Sequence, residues 1–218
     1  MTQQNNIKAA KNTALTEGSV LKHLVRLALP MSWGIMMIIS FQLVDTYFVS
    51  RLGTQELAAF SFTFPITYMI FTLIMGFSIA MSSVVSRLLG ANEMDIVKRV
   101  VSHGLLIVTL ISIFIASMGL LFLSPLFKLL GANEIMLPLI KEYMDIWFLG
   151  AVFVSLPMVA NSAMRACGDA ITPALIMSFA AILNVILDPL LIFGLAGFPA
   201  LGLQGAAIAT VIANGCAL

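Results

Sequence analysis

The sequence predicts an all-α integral membrane protein, a lobe of six transmembrane helices. Hydrophobic residues make up 61% of the 218 residues and charged residues only 10%, whereas a soluble domain carries about 25% charged residues. Apolar runs of about 20 residues or more recur along the chain, and short charged stretches separate them. So few charged side chains cannot cover a soluble core. We therefore exclude a soluble enzyme, a nucleic-acid binder and a disordered chain.

The first predicted helix follows a polar stretch at the N-terminus. Residues 1–22 are predicted to form a cytoplasmic segment, and residues 23–218 are predicted to form the transmembrane lobe. The first apolar run, 24–49, is about 26 residues long, which exceeds the apolar part of a signal peptide. Because it is long enough to cross a bilayer, we predict a retained first helix.

Four more complete apolar runs predict the next four helices, and a sixth run is short. The complete runs cover 57–85, 100–126, 143–163 and 174–195. The sixth begins near Gln204 and reaches the last residue after about 15 residues, whereas a crossing needs about 20. We therefore expect the sixth helix to be truncated and the chain to be part of a longer protein.

The distribution of Lys and Arg predicts the orientation, because cytoplasmic loops carry an excess of them. Three basic residues fall on one side of the membrane, namely Arg51, Lys128 and Lys141. The other eight fall on the side of the N-terminus. We predict a multi-pass protein of the plasma membrane, the cell inner membrane in bacteria, with a cytoplasmic N-terminus.

The six-residue sequence Leu-Leu-Gly-Ala-Asn-Glu occurs twice, at 88–93 and at 129–134. Each copy follows an apolar run, so we interpret both as helix ends with glycine in the left-handed conformation. The predicted topology puts the two copies on opposite faces of the membrane. They cannot form one site.

Bond-breaking chemistry is not indicated by any motif. The net charge of +1 provides no electrostatic footprint for nucleic acid. Cys167 and Cys216 are too few for a disulfide framework or a metal-ligand cluster. No glycine-rich phosphate loop or Ser/His/Asp set occurs in the sequence. We predict a protein that is not an enzyme and needs no cofactor, with the lipid bilayer and not nucleic acid as its partner.

Two carboxylates lie inside predicted spans, where an ionisable side chain normally faces a cavity or a partner. Asp45 lies about five residues before the outer end of the first helix, and Asp188 about seven before the outer end of the fifth. At about 1.5 Å of rise per residue, both lie roughly 8–11 Å below the outer boundary. This matched depth is what a shared site requires. The alternative interpretation is that each carboxylate is tied to a neighbouring helix by hydrogen bonds.

Five more polar side chains are predicted around the two carboxylates. They are Asn184 and Gln42 on the carboxylates' own helix faces, Tyr143 and Thr210 at comparable depth in the fourth and sixth helices, and Asn161 near the inner end of the fourth. Amide, phenol and hydroxyl groups at membrane depth either satisfy one another or line a cavity. We predict that Gln42 and Asn161 belong to a substrate cavity.

Two prolines inside predicted spans are candidate bends. Pro189 directly follows Asp188 and cannot donate to the carbonyl of Val185. Pro30 leaves the carbonyl of Arg26 free in the same way. Free carbonyls at membrane depth are tolerated only where they are buried or face water, and together with carboxylates they suit a cation.

Several motifs in this order resemble the multidrug and toxic compound extrusion (MATE) family. They are Leu-Ala-Leu-Pro-Met at 27–31, Val-Asp-Thr-Tyr-Phe-Val at 44–49 with Leu-Gly at 52–53, Arg-Ala-Cys-Gly-Asp at 165–169 with Thr-Pro at 172–173, Asn-Val-Ile-Leu-Asp-Pro-Leu-Leu-Ile-Phe-Gly at 184–194, and Gly-Ala-Ala-Ile-Ala-Thr at 205–210. The resemblance covers nearly the whole chain. Any one of these motifs alone would be weak.

The resemblance implies one half of a twelve-helix, cation-coupled antiporter whose two six-helix lobes face each other across a central cleft. This chain would be the N-terminal lobe, and the C-terminal lobe of the same protein would be its partner. By motif match, Asp45 and Asp188 would bind H⁺ or Na⁺, with Na⁺ possible at these two carboxylates and Asn184. Tyr143, Thr210 and Asn161 would surround them, and the helix bend of the family would fall on Pro30.

The resemblance and the carboxylate pair together predict a mechanism. Two carboxylates in a low-dielectric cavity repel each other and favour sharing a proton. Loading H⁺ or Na⁺ would neutralise the site, let the first helix bend near Pro30 and collapse a pocket that held a small cationic, amphipathic drug. Drug export would then be coupled to cation entry by alternating access, because both ligands need the same negative charge.

Two alternative functions remain open. A lipid-linked oligosaccharide flippase of a related fold would line its cleft with Arg or Lys for pyrophosphate, whereas no Lys or Arg lies at mid-depth in these spans. A non-transporting membrane scaffold would satisfy its buried carboxylates with fixed partners and exchange no cation.

Overall fold

A computed structural model describes residues 20–218, and helices make up most of this range. The helices are α1 (Val20–Ser50), α2 (Thr54–Gly90), α3 (Met94–Leu129), α4 (Met136–Leu149), α5 (Ala151–Ala166), α6 (Ile171–Phe193) and α7 (Leu203–Gly215), with a short 3₁₀ turn at Leu195–Gly197. No strand occurs in this part of the chain. Most of the predicted cytoplasmic segment 1–22 lies outside the described residues, and α1 already begins at Val20.

Four helical segments are long and apolar enough to cross a membrane by themselves, which confirms the predicted fold class. These segments are Ala28–Ser50, Thr54–Gly90, Met94–Leu129 and Ile171–Phe193. They include most of the predicted runs and extend beyond several of their ends, because the charged flanks of α2 and α3 are helical too. The short apolar helix α7 corresponds to the predicted sixth run.

The fourth span differs from its prediction as one run over 143–163. It begins at Met136 and consists of α4 and α5, which meet at Gly150 with a bend of 49°. A Cβ added at Gly150 would overlap the side chain of Val211 on α7. The missing side chain therefore lets α7 pack directly against the bend.

The predicted prolines lie inside continuous helices in this structure. Pro30 lies within α1 and Pro189 within α6, and neither helix is interrupted there. The break in the fourth span occurs at a glycine instead.

The two copies of the repeated six-residue sequence end their helices differently. Gly131 has a φ of +94°, as the prediction requires. In the first copy the prediction is wrong, because α2 runs through Gly90 and the left-handed residue is Asn92, with a φ of +60°. Asparagine tolerates this conformation better than most residues because its short polar side chain can bond locally.

The helices pack as a bundle with α1 on its flank. α1 packs mainly against α6, while α5 packs against α2 and α3, and α7 packs against α6 and α4. The largest fully buried side chains, among them Phe127, Phe148 and Met144, come chiefly from α3 and α4. A broad face of α1 is left exposed, where Trp33 and Leu43 are examples.

Candidate functional site

Two cross-helix contacts fix the register between α1 and α6. Trp33 donates its indole N–H to Ser178 Oγ at 3.2 Å, and the rings of Phe48 and Phe193 lie 6.1 Å apart edge to face. The two residues of each pair are 145 positions apart in the sequence. The two parallel helices therefore keep the same register from the first pair to the second. In that register Asp45 and Asp188 differ in height by two residues, or about 3 Å. The two carboxylates therefore lie at nearly the same height along the parallel helices.

Both carboxylates are buried. Asp45 is 4% exposed and Asp188 has no exposed surface. The charge of Asp45 acts on Asp188, so the two groups are electrostatic neighbours. Asp45 Oδ1 and Asp188 Oδ1 are buried atoms that accept no hydrogen bond from any residue within 20–218. A buried charged oxygen without a partner is strongly unfavourable, which marks the pair as a place for a positive ligand.

Asn184 links Asp188 to α7. Its amide nitrogen donates to Asp188 Oδ2 at 2.9 Å, and its amide oxygen accepts from the Thr210 backbone N–H at 3.2 Å and from the Thr210 hydroxyl at 3.3 Å. The opposite amide orientation would turn the oxygen toward a carboxylate and is therefore disfavoured. Because α6 places Asn184 one turn before Asp188, this arrangement follows from the i, i+4 spacing.

Close backbone packing holds α7 in the position that this contact needs. A Cβ added at Gly205 would lie 2.5 Å from the carbonyl oxygen of Leu191. The backbone N–H groups of Leu201 and Gly202 donate to the carbonyls of Leu191 and Ile192 at 2.9 and 3.1 Å. The turn between α6 and α7 is thus fixed one turn beyond Asp188.

Tyr143 completes the group from α4. Its side chain is 5% exposed, and the charges of both Asp45 and Asp188 act on its hydroxyl. Its ring lies edge to face against Phe60 of α2, with a centroid distance of 5.2 Å. The structure therefore brings together Asp45, Asp188, Asn184, Tyr143 and Thr210.

The two predicted cavity residues make no side-chain hydrogen bond to this group. Gln42 is half-buried and donates to the hydroxyl of Tyr68 on α2 at 3.2 Å. Asn161 is buried on α5 and makes no side-chain hydrogen bond to any of the five grouped residues. Tyr68 was missed by the sequence reasoning, although a tyrosine in the middle of an apolar span is a signal that could have found it.

The oxygen-rich group suits a proton or an alkali cation. Two carboxylates with one free oxygen each provide negative charge and hard oxygen ligands. Within residues 20–218, no three His, Cys, Asp or Glu side chains come together as a metal-binding cluster. A shallow cavity of about 420 Å³ at the N-terminal end of α4 is lined by residues including Lys141 and Gln204, and neither Asp45 nor Asp188 lines it.

A family model with the description MatE matches residues 30–190. The chain belongs to the MATE family. Relatives of the chain are transporters and not enzymes, and they are multi-pass membrane proteins. The family assignment agrees with the resemblance seen in the motifs and with the apolar helices.

Two relatives of the chain are transporters with different names. The chain is 47% identical over 188 residues to the FAD transporter of Shewanella oneidensis, covering 86% of this chain and 42% of that protein. It is 30% identical over 200 residues to the multidrug export protein MepA of Staphylococcus aureus, covering 89% of this chain and 43% of that protein. The chain thus spans less than half the length of these relatives.

The fold is similar to solved MATE transporters. The bent form of the Vibrio cholerae MATE transporter VcmN has a TM-score of 0.85 and 35% identity, covering 95% of this chain and 45% of that one. An outward-facing multidrug resistance transporter of the family gives a TM-score of 0.85 at 31% identity, covering 92% of this chain and 44% of that one. The chain corresponds to the N-terminal half of such transporters.

Proposed function

We propose that this chain forms the N-terminal lobe of a cation-coupled exporter that works by alternating access. The observation that supports the proposal most strongly is the pair Asp45 and Asp188, two buried carboxylates from different helices, each with an oxygen that lacks a hydrogen-bond partner within the described range. H⁺ or Na⁺ binds there. The lobe lies in the plasma membrane with a cytoplasmic N-terminus, and the C-terminal lobe completes the cleft.

Coupling follows from the electrostatics of the pair. When the site is empty of cations, two like charges in a low-dielectric interior repel each other and favour an open, hydrated arrangement. Binding one cation between them removes the repulsion and favours closure of α1 against α6. The cation therefore changes the relative stability of two conformations, which is the requirement for coupled transport.

The geometry of Asn184 supports H⁺ as the coupling ion. Its amide donates to Asp188 and accepts from Thr210 at the same time. Binding of Na⁺ by Asp45, Asp188 and Asn184 would require the amide to turn its oxygen away from Thr210 and toward the ion. A proton on Asp45 or on Asp188 Oδ1 requires no such change.

FAD is the substrate that the comparisons favour, since the relative at 47% identity is an FAD transporter and the multidrug export protein is 30% identical. The diphosphate of FAD is anionic, and α6 and α7 contain no Lys or Arg. We propose that the flavin end of the molecule, and not its diphosphate, meets this face of the lobe. Small cationic, amphipathic drugs are the second candidate substrate, favoured by the negative charge of the buried pair.

Everted membrane vesicles with the full-length protein test this function. Uptake of FAD and of ethidium is measured with an inward-acidic pH gradient and a Na⁺ gradient imposed separately. We expect FAD uptake that needs the pH gradient and is lost in Asp45→Asn. Gradient-independent binding would favour the scaffold, and movement of a lipid-linked oligosaccharide in place of both probes would favour the flippase.

A further inference from the structure

Gln42 and Tyr68 form a hydrogen-bonded polar pair on the surface of the lobe, outside the carboxylate group. We propose that this pair binds the imide edge of the flavin ring, which makes it a substrate-recognition site distinct from the ion site. The inference rests on FAD being the substrate, as proposed above. Gln42 lies on α1 one turn before Asp45, and Tyr68 lies on α2.

The pair has hydrogen-bonding capacity left over. Gln42 Nε2 donates to the Tyr68 hydroxyl oxygen at 3.2 Å. This leaves the Tyr68 O–H proton without an acceptor and Gln42 Oε1 without a donor among the residues of the described range. The pair therefore offers one donor and one acceptor side by side.

The chemistry of the pair disfavours a lipid-facing position. Tyr68 is 49% exposed and lies inside a 37-residue apolar helix. A half-exposed amide and phenol with unused hydrogen-bonding groups would be unfavourable against acyl chains. They are favourable where the lobe faces water or a polar ligand.

A row of aromatic rings connects the pair with the ion site. The ring of Tyr68 lies 6.2 Å from that of Phe64, which lies 5.0 Å from that of Phe60. The ring of Phe60 in turn contacts that of Tyr143. The hydroxyl of Tyr143 is close enough to Asp45 and Asp188 to interact with their charges. The i, i+4 spacing of the three α2 rings makes this row continuous along one helix face. A flat ring bound at Tyr68 thus lies at the open end of a packed aromatic row that leads to the ion site.

The chemistry of the flavin ring complements the pair. Its pyrimidine edge presents a carbonyl, the N3–H and a second carbonyl in sequence. The Tyr68 O–H donates to one carbonyl, and Gln42 Oε1 accepts from N3–H.

The test measures FAD uptake into everted vesicles with the full-length protein. Tyr68→Phe removes one hydroxyl and keeps the ring, so KM for FAD should rise about fivefold with little change in kcat, the effect of one lost hydrogen bond. Wild type should discriminate against FAD methylated at N3, and Gln42→Met should lose this discrimination. Tyr47→Phe is the matched control, because Tyr47 is an exposed tyrosine on α1 whose hydroxyl has no partner in the described range.

Each other outcome overturns the inference. In one such outcome, wild type takes up FAD, but Tyr68→Phe leaves KM unchanged and Gln42→Met leaves the discrimination against N3-methylated FAD unchanged. The proposed subsite is then wrong, and the proposed exporter function stands. If Tyr68→Phe reduces FAD and ethidium uptake equally, the pair serves packing between helices or lobes. If wild type takes up ethidium and no FAD, the proposed substrate and the subsite both fail, and ion coupling stands.

Discussion

Asp188 illustrates how single residues build the proposed ion site. The residue has no exposed surface, one of its oxygens accepts from Asn184, and the other has no partner in the described range. Asn184 is in turn held by two groups of Thr210. One oxygen of the Asp188 carboxylate is thus stabilised by a hydrogen bond from Asn184, and the other oxygen is available to bind a cation.

Replacing Thr210 should strengthen proton binding at Asp188 through Asn184, because the Asn184 N–H donates to the carboxylate and stabilises its ionised form. Thr210→Val removes the hydroxyl and keeps the shape and the backbone N–H, so Asn184 becomes less firmly oriented toward Asp188. We expect the proton concentration for half-maximal uptake to fall about threefold to tenfold, the range of one hydrogen bond. The pH dependence of substrate uptake in vesicles measures this shift.

Thr210→Ser provides the control for this prediction, since it keeps the hydroxyl and should behave like wild type. Equal pH profiles for the valine and serine variants would contradict the role of the hydroxyl.

The residues of the candidate site and their height along the helices could be predicted from the sequence. The contacts that these residues make with neighbouring helices could not. Counting from the helix ends places Asp45 and Asp188 at one level, because the rise per residue is constant. The rotation of each helix about its axis depends on packing against its neighbours. For this reason the partner of Gln42 and the orientation of the Asn184 amide required the structure.

The fourth span shows what decides structure at the scale of an element. A single glycine inside an apolar run does not by itself predict a break, because membrane helices often contain glycine. The bend of 49° at Gly150 coincides with the close approach of Val211 from α7. Such a contact between distant elements cannot be read from local sequence. The ends of α2 and α3 were predicted short for a related reason, since helices continue beyond the apolar core into water.

Adding a side chain at Gly150 should destabilise the lobe, and a second substitution that shortens Val211 should restore most of its stability. Gly150→Ala puts a methyl group into the side chain of Val211, and overpacking of this kind costs about 1–3 kcal/mol. We expect a lower melting temperature of the purified full-length protein in detergent. The double variant Gly150→Ala with Val211→Ala should recover most of the loss.

Gly76→Ala is the matched control, because a Cβ at Gly76 meets no atom within 4 Å. An unchanged melting temperature for Gly150→Ala, or no recovery in the double variant, would contradict the contact.

At the scale of the whole molecule, the lobe combines a packed bundle with one exposed flank. Only 11% of the residues in the apolar stretch of α1 are buried within the lobe. Most of the surface of α1 therefore meets lipid, water or the other lobe. Gln42 on this flank and Tyr68 on α2 form the polar pair that we propose faces water or a polar ligand and not lipid. Composition alone predicted the membrane fold, but it could not divide the exposed surface between these environments.

Cysteine labelling should establish the proposed orientation. Cys167 is exposed in the turn between α5 and α6, which the proposed topology places on the cytoplasmic side. Partial burial and the charge of Asp169 raise the pKa of the Cys167 thiol. Because the thiolate is the reactive form, labelling should be slow at neutral pH and accelerate as the pH rises. A membrane-impermeant maleimide should label Cys167 in everted vesicles and leave it unlabelled in right-side-out vesicles.

A variant with Lys128→Cys as its only cysteine should give the opposite pattern, because the exposed Lys128 lies at the outer end of α3 in this topology. Labelling of both positions from the same side would contradict the topology.

The central claim is that Asp45 and Asp188 bind the coupling ion. It is tested most directly by recording proton and Na⁺ movement together with FAD movement in liposomes reconstituted with the full-length protein, for wild type, Asp45→Asn and Asp188→Asn. We predict that FAD added on one side drives protons in the opposite direction in wild type, and that either substitution abolishes this movement while the protein stays folded. Substrate-driven ion movement that persists in both variants would contradict the account.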